Sequence, residues 1–258
     1  VPAIVKPATS TSFLTELAVQ QIISSGILPE GSLQLICGST GNLFDHLTCQ
    51  DAVTFTGSAQ TGRMLKSHPS ILENSIRFNM EADSLNCSIL GPDASPDTEE
   101  FKLFIKEVVR EMTVKAGQKC TAIRRTIVPE SLTEPVLQAI KEKLKGNIIG
   151  DPAVEGVRMG PLASKGQVKD VKDNVRRLMK SCEVVYGDID SVEVVGADTE
   201  KGAFMSSMLL YCKDALKHSE PHTIEAFGPV NTVMSYRNAD EAAELAKMGK
   251  GSLVGSVF

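Results

Sequence analysis

The chain has 258 residues, with 27 lysines and arginines against 32 aspartates and glutamates and a formal net charge of −5, an acidic balance that argues against a nucleic acid partner. At 42% hydrophobic and 23% charged it has the composition of a folded globular protein with one large core or two smaller ones, which excludes disorder and fibrous repeats. No run approaches the roughly 20 apolar residues of a membrane-spanning helix, and the opening Val1-Pro2-Ala3-Ile4-Val5 is broken by Lys6-Pro7 and lacks the basic lead of a secretory signal, so no membrane partner and a cytoplasmic location are expected.

Short β-rich runs bounded by turn residues alternate with longer helical patterns, which predicts an α/β fold of crossover units. Strands are expected at 3–6, 32–37, 52–56, 75–80, 86–90, 122–128, 183–186 and 207–212. The first helix, 12–25, sets Phe13, Leu14, Leu17, Ala18, Gln21 and Ile22 on one face and stops at Gly26. The turn Gly57-Ser58-Ala59-Gln60-Thr61-Gly62 joins the run Ala52-Val53-Thr54-Phe55-Thr56 to a short helix directed toward His68. A long helix over 99–116 places Phe101, Phe104, Ile105, Val108, Val109 and Met112 on one side and ends at Gly117, just before Cys120. Helices at 131–145 and 164–180 carry dense charge on their outer faces, the pattern of solvated helix surfaces. The loop-like stretch Gly91-Pro92-Asp93-Ala94-Ser95-Pro96-Asp97 places a domain boundary between 83 and 97, and the division taken is 1–83 and 84–258.

The cysteines, Cys37, Cys49, Cys87, Cys120, Cys182 and Cys212, are scattered without a CxxC pair, and the histidines are His46, His68, His218 and His222. Neither a zinc cluster nor a disulfide framework is expected, and free thiols are the default. The chain opens without a methionine and closes on Leu253-Val254-Gly255-Ser256-Val257-Phe258, which reads as a strand interior. A central fragment of a longer polypeptide is therefore expected.

Cys120, in Gly117-Gln118-Lys119-Cys120-Thr121, is the sharpest candidate for chemistry: it follows a helix-ending glycine and has a cation beside it in sequence, and a lysine neighbour can favour the thiolate. The ordinary alternative is a small buried hydrophobe. Glu81 lies at the end of an apolar run, where a carboxylate can point into a cleft and, partly desolvated, reach the pKa of a general base; most such acids are simply solvated. The turn from Gly57 to Gly62 can bring backbone N–H groups to a phosphate, although Arg63-Met64 stands where a Walker loop needs Lys-Ser/Thr and no GxGxxG occurs. Finally, Glu225-Ala226-Phe227-Gly228-Pro229-Val230 combines an acid, an aromatic ring and a tight Gly-Pro turn.

Taken in order, Lys6-Pro7-Ala8, Phe55-Thr56-Gly57-Ser58, Gly117-Gln118-Lys119-Cys120, Gly150-Asp151-Pro152 with Met159-Gly160-Pro161-Leu162, and the segment from Glu225 to Val230 resemble the aldehyde dehydrogenase superfamily over essentially the whole chain. The resemblance implies a Rossmann-type cofactor domain over 1–83 and an α/β catalytic domain over 84–258, both truncated. It implies that Cys120 attacks an aldehyde carbonyl, that the thiohemiacetal transfers hydride to a nicotinamide ring, and that water activated by Glu81 hydrolyses the thioester so formed. It also implies that Gly57, Ser58 and Gly62 form the turn beside the cofactor, that Glu225 and Phe227 hold the nicotinamide ribose and ring, and that Lys6 reaches the adenosine ribose. No metal is needed. Where NAD-preferring members often carry a glutamate, this chain has Thr9; a hydroxyl can donate to a 2′-phosphate that a carboxylate would repel. NADP is therefore expected, with NAD as the alternative.

There are departures from the family pattern. The glycine pair that usually follows the general base is replaced by Ala82-Asp83-Ser84. The stretches from Phe78 to Asn86 and from Ala116 to Arg125 look like one subfamily, the aldehyde dehydrogenase part of the bifunctional ring-opening protein of phenylacetate degradation. Its members join this domain to a hydratase domain and oxidise a semialdehyde carried on coenzyme A. The resemblance thus implies a small-molecule, coenzyme A-linked aldehyde as substrate and a homo-oligomeric parent. Family members also carry an oxyanion-hole asparagine upstream of the lysine strand, which no residue here matches; losing one such donor costs on the order of 10²- to 10³-fold in rate. Three alternatives stay open: a coenzyme A-acylating dehydrogenase, against which Glu81 argues; a cysteine hydrolase or acyltransferase with Cys120 activated by His218 or His222; and a non-catalytic fragment.

Overall fold

The computed structural model describes all residues, 1–258. It contains two compact units, Val1–Ala82 and Asp83–Phe258.

In the first unit β1 (Ala3–Val5) pairs in parallel with β2 (Leu33–Leu35), and α1 (Ser12–Ser24) crosses between them. Of the apolar face expected on α1, Phe13 is 64% and Leu17 55% exposed, and Val19 is the buried residue of the helix. A sheet two strands wide offers no broad face for a helix to cover. A second parallel pair follows: β3 (Ala52–Gly57), α2 (Ala59–Lys66), α3 (Pro69–Glu73) and β4 (Arg77–Ala82). Helix α2 starts where it does because extended Ser58 accepts the N–H of Thr61 on its hydroxyl. Gly62 lets α2 lie close on β4, since a Cβ there would stand 2.7 Å from the Met80 sulfur.

The second unit is a six-stranded sheet between two helical layers. Its strands are β5 (Cys87–Ile89), β6 (Arg125–Pro129), β7 (Glu183–Tyr186), β8 (Met208–Cys212), β9 (Val230–Tyr236) and β10 (Gly255–Val257), in the order β10-β5-β6-β9-β8-β7. All neighbours are parallel except β7, an antiparallel edge strand. The pleat sorts the core by alternation: Val128, Leu209 and Val233 face one layer with Phe104 of α4 (Glu99–Thr113) and Ile140 of α5 (Thr133–Lys145). Ile127, Leu210 and Met234 face the other, with Val171 and Val175 of α6 (Lys165–Leu178) and Leu245 of α8 (Ala239–Met248). A short helix, α7 (Glu220–Thr223), precedes β9. Helices α4, α6 and α8 are capped by Thr98, Ser164 and Asn238, whose side chains accept the N–H three residues on. No helix is long and apolar enough to cross a membrane.

Several boundaries shift from the sequence-based expectation, among them the strand expected at 75–80, which runs Arg77–Ala82, and two of the shifts border Cys120. The helix expected to run to 116 ends at Thr113, and Val114–Gly117 form a tight turn in which Lys115, Ala116 and Gly117 all have positive φ (54°, 51° and 68°). The strand expected from 122 begins at Arg125, because the N–H groups of Arg124 and Arg125 both turn to the Asn86 carbonyl. The sequence analysis assigns no element to α3, α7, β9 or α8. In β9 the polar residues Asn231 and Thr232 interrupt the apolar run, yet both are buried, and Asn231 donates to the Ile123 carbonyl at 2.9 Å.

Candidate active site

The residues expected to carry chemistry in the second unit lie at the amino ends of parallel strands. Asn86 immediately precedes β5, Cys120 to Arg124 precede β6, Glu225 to Pro229 precede β9, and Val254 precedes β10. Four loops distant in sequence thereby share one rim of the sheet.

Two buried side chains lash these loops together, and neither was singled out from the sequence. Asn86 donates through Nδ2 to the carbonyls of Cys120 (2.8 Å) and Ala122 (2.9 Å). Its Oδ1 accepts from the Ser84 hydroxyl (2.5 Å) and the Val254 N–H (2.9 Å). Arg124 donates through Nη1 to Gly228 O (2.8 Å), through Nη2 to Gly117 O (2.8 Å), and through Nε to Glu225 Oε1 (3.2 Å). Its guanidinium carbon lies 5.3 Å from the centre of the Phe227 ring, a cation–π distance. The arginine thus joins the Cys120 loop to the Glu225–Gly228 loop.

Cys120 itself is exposed. Its loop approaches the 225–228 segment so closely that a Cβ on Gly117 would fall 2.2 Å from Gly228 O; glycine is required there on steric grounds as well as for its positive φ. Gln118 reinforces the contact, donating to Phe227 O (3.1 Å) and to the Gln167 side chain (3.0 Å) and accepting the Ala163 N–H (2.8 Å). Lys119 does not serve Cys120 as its place in the sequence suggested. Its ammonium is bound to both carboxylate oxygens of buried Glu111, at 2.7 and 2.8 Å, because α4 presents that acid one turn and a loop away.

Glu225 is held on both oxygens, Oε1 by Arg124 and Oε2 by the Ser84 N–H (3.0 Å). Burial pushes its carboxyl above the ordinary value, while Arg124 and the Ser84 amide pull it back down. Each oxygen retains a lone pair for a ligand hydroxyl. Asn174 of α6 fixes the backbone here by donating to Glu225 O at 2.9 Å.

His222 is unsuited to activate a thiol. It is buried, with Nε2 against Ala215 O (3.0 Å) and Nδ1 against Arg125 Nη1 (3.2 Å). With Arg125 a donor only, Nδ1 is the acceptor and Nε2 carries the proton, so neither nitrogen is free.

In the first unit, Thr56 of β3 lies opposite Glu81 of β4, and Gly57 opposite Ala82. Glu81 is therefore placed next to the strand end that leads into the Gly57-Ser58 turn before α2, and all three residues are exposed. Lys6 follows β1 and Thr9 opens the short turn before α1; both are exposed and belong to the other strand pair.

The sequence profile of the aldehyde dehydrogenase family matches residues 2–258. The chain belongs to that family. It is 46% identical over its full length to a 3,4-dehydroadipyl-CoA semialdehyde dehydrogenase of Aromatoleum evansii, covering 50% of that protein. It is 30% identical to a putative aldehyde dehydrogenase of Staphylococcus epidermidis, covering 52%. Among solved structures it matches apo betaine aldehyde dehydrogenase of Staphylococcus aureus with a TM-score of 0.86 at 25% identity, over all of this chain and 50% of that one. The same enzyme in complex with NAD+ matches with a TM-score of 0.86 at 24% identity. The aldehyde dehydrogenase-like α/β fold is thus common to all, and the chain spans about half the length of these relatives.

Proposed function

We propose that the whole protein oxidises a coenzyme A-linked semialdehyde to its carboxylic acid with a nicotinamide cofactor, using Cys120 as nucleophile and Glu81 as general base. The observation that carries this reading is the placement of Cys120: an exposed thiol three residues past a left-handed turn, with its backbone tied by Asn86 and its loop joined through Arg124 to Glu225 and Phe227. The substrate class rests on the likeness to the semialdehyde dehydrogenase.

The residues fit a dinucleotide. An exposed, small Gly57-Ser58 turn opens helix α2, Glu225 keeps acceptor capacity toward ribose hydroxyls, and the half-buried Phe227 ring offers a flat surface braced by Arg124. Lys6 and Thr9 would hold the adenosine ribose, and the Thr9 hydroxyl favours NADP over NAD. The bound nicotinamide supplies the hydride acceptor.

The Cys120 thiolate adds to the aldehyde carbon, giving a thiohemiacetal. Loss of hydride from that carbon leaves a thioester on Cys120. Glu81 takes a proton from water, the hydroxide adds to the thioester carbonyl, and the Cys120 thiolate departs as the acid is released. A carboxylate base serves hydrolysis, whereas transfer to coenzyme A needs a thiol acceptor. The subfamily resemblance further implies an oxyanion-hole asparagine, a homo-oligomeric assembly and a fused hydratase domain in the whole protein.

The test is absorbance at the reduced-nicotinamide band, measured on the full-length protein with NADP and then NAD, a semialdehyde thioester of coenzyme A, and Cys120→Ala as control. Cysteine-dependent turnover preferring NADP is the expected result. A hydrolysable acyl adduct on Cys120 without reduced cofactor from either nucleotide would sink the dehydrogenase reading.

A further inference from the structure

Away from Cys120, the core of the second unit holds three more free thiols that the reaction does not use, Cys87, Cys182 and Cys212, and the last two lie together. Cys182 follows α6 and leads into β7; Cys212 ends β8. The two strands run antiparallel with Glu183 opposite Tyr211 and Val184 opposite Leu210, so one step further along the ladder Cys182 stands opposite Cys212 on the same face of the sheet. Directly opposed residues hold their Cβ atoms about 4.5–5.5 Å apart, a small adjustment from the roughly 3.5–4.5 Å that a disulfide requires. The Cys212 thiol also lies 3.4 Å from the Ser181 carbonyl, and the Ser181 hydroxyl lies 3.8 Å from the Cys182 sulfur. Both cysteines are buried, at 6% and 0% exposure, in one hydrophobic cluster.

We propose that Cys182 and Cys212 form a redox-modification site, a paired dithiol that hydrogen peroxide converts to a disulfide. In the first step the Cys182 sulfur attacks a peroxide oxygen, becoming a sulfenic acid as one water leaves. In the second the Cys212 sulfur displaces the sulfenic hydroxyl, its own proton departing with that oxygen as a second water. One peroxide is reduced to two waters while two thiols are oxidised to one disulfide. Cys182 is the attacking sulfur because a hydrogen bond from Cys212 holds its thiol below the ordinary value; burial opposes this and the Ser181 hydroxyl assists it. Cys212 is pushed up by the same contact and by burial, which suits the resolving partner. Cys87, also buried, is pushed up by burial alone in spite of nearby Arg125 and serves as an internal control. The new bond would staple the edge strand β7 to β8.

The test exposes the reduced chain to hydrogen peroxide, quenches with N-ethylmaleimide in denaturant, digests without reductant and maps the cysteines by mass spectrometry. The expected result is a linked Cys182–Cys212 peptide pair, two hydrogens lighter than its parts and separated by dithiothreitol, with Cys87 recovered as the maleimide adduct. In Cys212→Ser the link is lost and dimedone traps Cys182 as the sulfenic acid. Recovery of both residues as maleimide adducts under peroxide that oxidises Cys37 and Cys49 overturns the proposal. Oxidation of Cys182 in the parent chain to an unlinked sulfinic acid overturns it equally.

Discussion

Arg124 and Glu225 form a buried ion pair at 3.2 Å, with side chains 4% and 9% exposed, between loops 101 residues apart in sequence. The arginine spends its other donors on the carbonyls of Gly117 and Gly228, so the pair sets the distance between the Cys120 loop and the Glu225–Gly228 loop. Removing one member leaves the other charged and without its partner in the interior.

Arg124→Met is therefore expected to destabilise the second unit by about 3–5 kcal/mol, read from urea unfolding of the chain. The double variant Arg124→Met/Glu225→Gln should recover part of that loss, because no lone buried charge remains. A single-variant effect within about 1 kcal/mol would show that the pair behaves as a solvated surface contact.

Gly117→Ala places a methyl group 2.2 Å from Gly228 O at a φ of +68°. The two loops must then part, and displacement of a nucleophile by about 1 Å costs on the order of 10²-fold in rate. We expect kcat of the full-length enzyme to fall by that factor, with alkylation of Cys120 by iodoacetamide largely retained, since the thiol is already exposed.

Asn86→Asp tests whether the donors on Asn86 position Cys120. The substitution keeps size but replaces the amide that bonds Cys120 O and Ala122 O with an acceptor facing two acceptors. It should cost more than Asn86→Ala, each unmet buried group being worth about 1–3 kcal/mol. Thermal melting of the two variants gives the order, and equal melting points would count against the positioning role.

His222 gives the chain a pH-dependent stability. Burial, aided by the nearby Arg125 charge, depresses the His222 pKa in the fold from its ordinary 6.5, although the Ala215 carbonyl favours the charged form. Above that ordinary value the ring is neutral folded and unfolded alike. As pH falls through about 6.5 the unfolded chain takes up a proton that the native chain refuses, so stability drops with acidification until the folded pKa is reached. Unfolding free energies measured between pH 7.5 and 5.5 should fall, and His222→Gln should flatten the slope.

Glu81→Gln removes the proposed base and leaves an amide of the same shape. Acylation of Cys120 should survive and deacylation fail, so the full-length variant should accumulate an acyl adduct visible by intact mass after one turnover. Steady turnover at the parent rate would remove Glu81 from the mechanism.

What could be read along the chain was whatever short-range physics governs. Helices α4, α5 and α6 follow from the spacing of residues a few positions apart, and Thr98 and Ser164 cap α4 and α6. The Gly57-Ser58 turn follows from a strand, a glycine and a hydroxyl in succession. Cys120 and Glu225 stood out through local motifs. Strand β9 was not legible, because polar residues interrupt its pattern, and the partner of the Asn231 side-chain amide, the Ile123 carbonyl, lies 108 residues away in the chain.

The order of residues by itself determined an α/β chain and its turns, since periodicity and glycine placement act over a few residues, while the family and the candidate nucleophile came from the resemblance of short motifs. Tertiary structure alone decided that Lys119 serves Glu111 rather than Cys120. It decided likewise that His222 is locked by Arg125 and Ala215, and that Asn86 and Arg124 hold the Cys120 loop. Those pairings depend on which strand ends share a rim of the sheet, and that follows from burying two faces of a six-stranded sheet at once rather than from any local pattern.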